Sequence, residues 1–227
     1  MTDHLDDKTS PRYETEGHVI HWARVYDALF GWFLGHTHDA VIKLAAPMAG
    51  ESVLDVGCGT GSLSLAVKAV LGDRGDVYGI DASSEMIALA QLKARKSGIK
   101  LDFRVGLAEK LPFDDGSFDL VMSQLAIHHL PGDLKIRAFE EMRRVLKLNG
   151  RCLIIDFEPP KQWRSLSRLF HGQAMTQTDV RQYAKIMEDA GFSKIEIGQT
   201  RHRMLAFIRG RVAAYSAASP VTVRRRG

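Results

Sequence analysis

The chain has 227 residues, enough to bury a sizeable core in one decorated domain. With 45% hydrophobic and 26% charged residues it is composed like an ordinary globular protein, and no apolar run approaches the roughly 20 residues that a membrane span needs. Two cysteines, Cys58 and Cys152, argue against a disulfide framework and fit a reducing cytoplasm, while the net charge of +4 is lopsided: seven arginines and no acid occur from Arg201 onward, so the rest sums to −3.

Residues 1–16 are polar and acid-rich, unlike a signal peptide or a targeting helix, and are expected to be disordered. The stretch HVIHWARVYDALFGWFLGHTHDAVIKLAA reads as two helices broken near Gly35, with Val19, Trp22, Tyr26, Phe30 and Phe33 recurring at helical spacing in the first. From Glu51 strands and helices alternate. SVLDV is a first strand, followed by glycines and a helix over Ser62 to Leu71. DVYGID is a second strand, and the helix after it is capped by Ser83 or Ser84. LDFRVG and FDLVMSQ are the third and fourth strands, and a helix over Asp133 to Leu148 is ended by LNG. RCLIIDF is a fifth strand stopped by Pro159-Pro160, DVRQYAKIMEDAG is a helix, and SKIEIGQ and HRMLAFIR close as antiparallel strands. Repeated strand–helix units imply an α/β fold with a doubly wound, mostly parallel sheet. The end of the chain, residues 211–227 with VTVRRRG, reads as a basic disordered tail, a type of segment that can touch nucleic acid or anionic lipid.

The loop VLDVGCGTG carries the first chemical signal. Gly57, Gly59 and Gly61 permit a tight turn with backbone close to a ligand. The nicotinamide fingerprint fails, because its third glycine would fall at Ser62, and the Lys-Ser/Thr pair of a P-loop is absent. Asp81, at the end of the second strand, is placed to accept hydrogen bonds from both hydroxyls of a ribose.

Together, VLDVGCGTG, GIDASSEMI, VGLAEKLPFDDGSFDLVMS, EEMRRVLKLNG and LIIDF resemble the class I S-adenosylmethionine-dependent methyltransferases over roughly Glu51 to Phe157. The resemblance implies a seven-stranded sheet ordered 3-2-1-4-5-7-6 with strand 7 antiparallel, occupying residues 49–210 behind a helical lid at 17–48. It implies S-adenosylmethionine as cofactor and S-adenosylhomocysteine as product. Asp55 and the backbone of Gly57, Cys58, Gly59 and Gly61 would hold the methionine part. Asp81 would hold the ribose, and Ala82 and Met86 would flank the adenine. Ala108 and Glu109 would border the adenine edge, and Gln124 would lie near the methionine end. One departure is visible: Leu107 stands where the family usually has an Asp that accepts from the adenine amino group. A lost hydrogen bond of that kind costs about 0.5–1.5 kcal/mol.

A sulfonium methyl is already activated, so the protein's task is alignment and exclusion of water, with a general base where the acceptor carries a proton. Ligands of open α/β sheets lie beyond the carboxyl ends of the strands, which puts LAIHHLPGD and Asp156 on the acceptor side. His128 or His129 is therefore either a base, with Asp156 as its orienter, or polar wall. No metal site is expected, since adjacent histidines on one loop rarely aim at one ion. Relatives with a Tyr-Asp pair in a first helix, here Tyr26-Asp27, use it as a lid. Trp22, Tyr26 and Phe30 then either wall a lipophilic substrate pocket or pack as core. The entry segment is distantly similar to those of quinone-biosynthesis C-methyltransferases and phospholipid N-methyltransferases, although the Arg-Asn pair of the quinone enzymes is His-His here. The expected activity is methyl transfer to a small, apolar or aromatic acceptor, which could bring the chain to a membrane surface. The alternatives are an RNA or protein methyltransferase using the basic tail and a non-catalytic cofactor-binding module.

Overall fold

Val53, Leu54, Asp55 and Val56 of the first strand, β1 (Ser52–Val56), are all buried, as a strand covered on both faces requires. The computed structural model describes residues 37–158, 179–202 and 204–213. After β1 come α2 (Ser62–Leu71), β2 (Asp76–Asp81), α3 (Ser84–Ser97), β3 (Asp102–Val105), β4 (Phe118–Gln124), α4 (Gly132–Val145), β5 (Leu146–Phe157), α5 (Tyr183–Asp189), β6 (Phe192–Gln199) and β7 (Leu205–Val212). Residues 37–45, helical and termed α1, precede them. The sheet runs β3-β2-β1-β4-β5-β7-β6. Its first five members in that order pair in parallel, and β7 is antiparallel to both β5 and β6. This is the order and the antiparallel strand anticipated from the resemblance.

Side chains alternate along the strands and so feed two layers. Leu54, Val56, Val121 and Ile154 face α4 and α5, packing with Phe139, Met142, Tyr183 and Met187. Val53, Leu120, Met122 and Leu153 face the other way, onto Val41 and Ala45 of α1 and Leu63, Val67 and Leu71 of α2. Phe103 of β3 carries α3 on this second face through Ile87, Ala90 and Ala94. Ser83, not Ser84, caps α3 by accepting from the Met86 amide, and Gly98 closes it in the left-handed conformation.

Two expected boundaries differ. The helix expected to reach Leu148 stops at Val145, because Leu146 is 2% exposed and pairs with Phe118 in the sheet. LNG therefore lies inside β5, where the register with β4 shifts between Phe118 and Leu120 and Asn149 takes a φ of 64°. Lys147 is held extended by Asp119, whose carboxylate lies 2.8 Å away. The last strand also lies further along than HRMLAFIR suggests, since antiparallel pairing of Phe157 with Leu205 and Arg151 with Arg211 selects Leu205–Val212. Among the described residues no helix is long and apolar enough to cross a membrane. Of the expected lid at 17–48 and basic disordered tail at 211–227, residues 17–36 and 214–227 lie outside the described residues; residues 37–45 form α1 and pack on the sheet, and Arg211 and Val212 belong to β7 and pair with β5 and β6, so the tail cannot begin at 211.

Arg151 fastens the end of α1 to the sheet. Its guanidinium donates to the Ala45 and Ala46 carbonyls, both at 2.9 Å, and forms a two-pronged pair with Glu51 at 2.6 and 2.8 Å. These are the carbonyls a helix leaves without internal partners. The pair is largely buried, with side-chain exposures of 16% and 10%. Replacing Arg151 by Met strands Glu51 and those carbonyls, so unfolding in urea should show a loss of about 3 kcal/mol.

Candidate active site

The loop after β1 is built around left-handed glycines. Gly57, Gly59 and Gly61 have φ of 72°, 53° and 76°. A Cβ on Gly57 would lie 2.3 Å from that of Ala126, and one on Gly61 would lie 2.6 Å from the Phe103 ring. Gly57 and Gly61 are thus enforced by neighbouring side chains. Gly59 is different: a Cβ there would meet nothing within 4 Å, so this stretch shows bare backbone to open space. The Gly57 and Cys58 amides donate to the Ile80 carbonyl at 2.8 and 2.9 Å, which moors the loop to β2.

Asp81 closes β2 beside this loop. Its Oδ2 accepts from the Gly59 amide and its Oδ1 from the Ser83 amide, both at 2.9 Å. Burial raises the carboxyl above its ordinary range, and the two amides oppose that shift. Each oxygen retains a further lone pair, the acceptor set a vicinal diol needs. Bare backbone next to a diol acceptor fits a nucleoside-bearing ligand. Asp55 sits deeper, 1% exposed, and accepts from the Ser64 hydroxyl at 2.6 Å. Cys58 packs with Phe103, Ala90 and Ile87, and burial followed by the charges of Asp55 and Asp81 pushes its thiol far up. Its side chain is core, and only its backbone borders the loop.

The other expected contacts follow from these anchors. Ala82 is half-buried and Met86 is buried in the first turn of α3. The Gly106 amide donates to the Asp81 carbonyl at 3.0 Å, bringing the next loop alongside. In that loop Leu107 bridges to Lys110, and Leu107, Ala108 and Glu109 are half-buried. Gln124, ending β4, donates through Nε2 to the Thr37 hydroxyl at 2.5 Å. Trp22, Tyr26 and Phe30 lie outside the described residues.

Past Gln124 the chain turns sharply. Leu125 takes a φ of 54° while its amide continues the ladder to the Ile155 carbonyl at 2.9 Å. Ile127, 1% exposed, pins a single 3-10 turn, Ile127–His129, into the core. His128 Nδ1 lies 2.7 Å from Asp156 Oδ1, and the His128 amide donates to Asp156 Oδ2 at 3.0 Å. Asp156 is 0% exposed and also accepts from the Phe157 amide at 2.8 Å and the Tyr183 hydroxyl at 3.1 Å. A carboxylate facing Nδ1 assigns the proton to that nitrogen and leaves Nε2 with the lone pair. The His129 ring lies against that of His128, centroids 3.9 Å apart.

Sequence reasoning did not single out Thr37, Lys93 or Tyr183. Thr37, 2% exposed, holds Gln124, and Lys93 donates to the Thr60 and Ser62 hydroxyls at 2.7 and 3.0 Å beside the glycine loop. Lys93 is one cation on a helix rich in them, so spacing alone gave no signal. Tyr183 was visible as a helical residue, but its partner lies 27 positions earlier.

Burial lifts the Asp55 carboxyl from 3.8 to about 7, with Ser64 opposing the shift and Asp81 adding to it. The folded chain therefore holds this proton more tightly than the unfolded one. The stability so gained is complete below about pH 4 and is lost as pH rises toward 7. Asp55→Asn should remove that slope: thermal unfolding of the variant should change less between pH 5 and pH 7.5 than that of the wild type.

Comparison with known proteins adds a family to this geometry. The family described as methyltransferase domain matches residues 48–191. The uncharacterized methyltransferase YcgJ of Bacillus subtilis (strain 168) is 38% identical over 122 residues, which cover 53% of this chain and 46% of that protein. The 2-phytyl-1,4-naphtoquinone methyltransferase of Trichormus variabilis is 30% identical over 156 residues, covering 65% of this chain and 67% of that protein. The chain spans about half the length of several other curated relatives it matches, including quinone-biosynthesis methyltransferases. The crystal structure of an S-adenosylmethionine-dependent methyltransferase from Aquifex aeolicus superposes with a TM-score of 0.65 at 24% identity, over 78% of this chain and 89% of that one, which speaks to the fold. Family match and strand order agree, and the chain belongs to the class I S-adenosylmethionine-dependent methyltransferases.

Proposed function

We propose that the chain transfers a methyl group from S-adenosylmethionine to a small apolar or aromatic acceptor, with His128 taking the acceptor's proton. The observation that carries the acceptor side is the His128–Asp156 contact of 2.7 Å, made where β4 and β5 end. Relatives named as quinone methyltransferases support an aromatic acceptor. Bound S-adenosylmethionine supplies an electrophilic methyl on a sulfonium sulfur.

Asp81 would accept from the ribose hydroxyls, and the open backbone at Gly59 would let the methionine part come close. Asp55 and Gln124 border that end, while Ala82, Met86, Ala108 and Glu109 flank the base. With S-adenosylmethionine bound, its methyl would pass to the acceptor as the S–CH₃ bond breaks and S-adenosylhomocysteine leaves, and His128 Nε2 would take the proton that the acceptor atom gives up. Asp156 holds the ring and offsets the imidazolium charge. Loss of the amino-group acceptor at Leu107 weakens the hold on adenine without removing it.

A transfer screen with labelled cofactor over phenols, quinones, amines, thiols and lipids tests the reading, and activity confined to nucleic acid or protein would overturn it. Asp81→Ala removes the diol acceptors and should weaken S-adenosylhomocysteine binding by about 100-fold or more in titration calorimetry. His128→Asn should lower kcat by about 10²–10⁴-fold with S-adenosylhomocysteine affinity kept. Near-normal turnover across pH in that variant would remove His128 from the chemistry.

A further inference from the structure

Asp156 is wholly buried, and its surroundings reach beyond the histidine turn. Four hydrogen bonds converge on its carboxylate: the His128 and Phe157 amides, His128 Nδ1 and the Tyr183 hydroxyl. Tyr183 begins α5 and is 1% exposed. Behind it, from α4, comes Lys135, a lysine only 7% exposed, whose Nζ lies 6.0 Å from the Tyr183 ring centroid. A lysine is seldom buried to this degree without a charge to answer, and Asp156 is the anion that acts on it.

We propose that Tyr183 and Lys135 are positioning residues which hold the Asp156 carboxylate so that His128 keeps its proton on Nδ1 and its lone pair on Nε2. With both oxygens occupied, Asp156 cannot rotate away from the ring, and the imidazole cannot flip without breaking its 2.7 Å bond. Tyr183 serves as a permanent donor, because burial, and then the neighbouring Asp156, push its hydroxyl far above its usual range. Lys135 has its charge weakened by burial while Asp156 opposes that loss. The pair thus draws the negative charge of Asp156 toward α4 and α5 and away from the histidine. Among the described residues, the titratable and charged groups around this ring are Asp156 from β5, His129 from its own turn, and, through Asp156, Tyr183 from α5 and Lys135 from α4. Asp179, just before α5, acts in turn on Tyr183.

The inference rests on the proposed role of His128 only for its effect on turnover, so the test is made on the imidazole itself. The full chain, labelled with ¹⁵N-histidine and saturated with S-adenosylhomocysteine, is titrated by long-range ¹H–¹⁵N NMR. In the wild type the neutral His128 should carry its proton on Nδ1. A proton on Nε2 overturns the proposal without any variant. Tyr183→Phe removes one donor, returns charge to the side of Asp156 facing His128, and should raise the His128 titration midpoint by about one pH unit. Lys135→Met should move it in the same direction and by less. Folded variants whose midpoint and tautomer are both unmoved overturn the proposal. If Tyr183→Phe does not fold, the wild-type tautomer and Lys135→Met decide it. The His128→Asn turnover assay stands apart, so a correct tautomer with a dispensable histidine would sink the base role and leave the network intact.

Discussion

Buried carboxyl groups are the constraint around which this molecule is arranged. Asp55, Asp81 and Asp156 lie at or near the carboxyl ends of β1, β2 and β5, and each must find donors in the loops and helices around its strand's end. Asp55 takes the Ser64 hydroxyl from α2. Asp81 takes amides from the glycine loop and from the cap of α3. Asp156 takes the histidine turn and a tyrosine from α5. Satisfying the three carboxylates fixes the loops at one edge of the sheet, and that edge is where the proposed chemistry takes place.

The two sides of that edge are organised differently. On the proposed cofactor side the contacts around Asp81 are mostly local: glycine loop, strand end and helix cap come from one stretch, 55 to 86, and amides do most of the work. On the acceptor side the parts come from distant stretches, with His128, Asp156 and Tyr183 drawn from a turn, a strand and a helix. Local motifs can be kept together by short-range constraints, whereas a convergent site depends on the sheet being complete. The same division explains how a family can share one cofactor and still act on many acceptors.

The first of these sides was legible in the sequence. Glycines at 57, 59 and 61 after an apolar run, with an acid ending the next strand, reveal the loop because every element of the signal lies within one unit. The strand order was legible through the family resemblance. Less legible was LKLNG, which has helical propensity up to its Asn-Gly and becomes strand only because Leu146 finds Phe118. Propensity gives way there to a buried contact made across the sheet. His128 and Asp156 could be brought to the same edge from their strand ends. Tyr183 could not, since the chain between Phe157 and Asp179 offers no pattern that aims α5 at β5. Thr37 and Lys93 escaped for a similar reason, each being an ordinary polar residue whose meaning depends on a partner far along the chain.

The position of β7 bears on how such a chain is made. It is the final strand in sequence among the described residues, yet it lies between β5 and β6. Until Leu205–Val212 has been synthesised, the edge of β5 from Cys152 to Phe157 has no neighbour on that side. The nascent chain thus carries an open apolar edge for as long as the ribosome takes to add the intervening residues, and such edges invite pairing with other chains. Closure from β7 is long-range and correspondingly slow. Mutations in Leu205–Val212 should therefore bear more heavily on yield during synthesis than on the affinity of the finished protein for its cofactor, whose binding loop is complete much earlier.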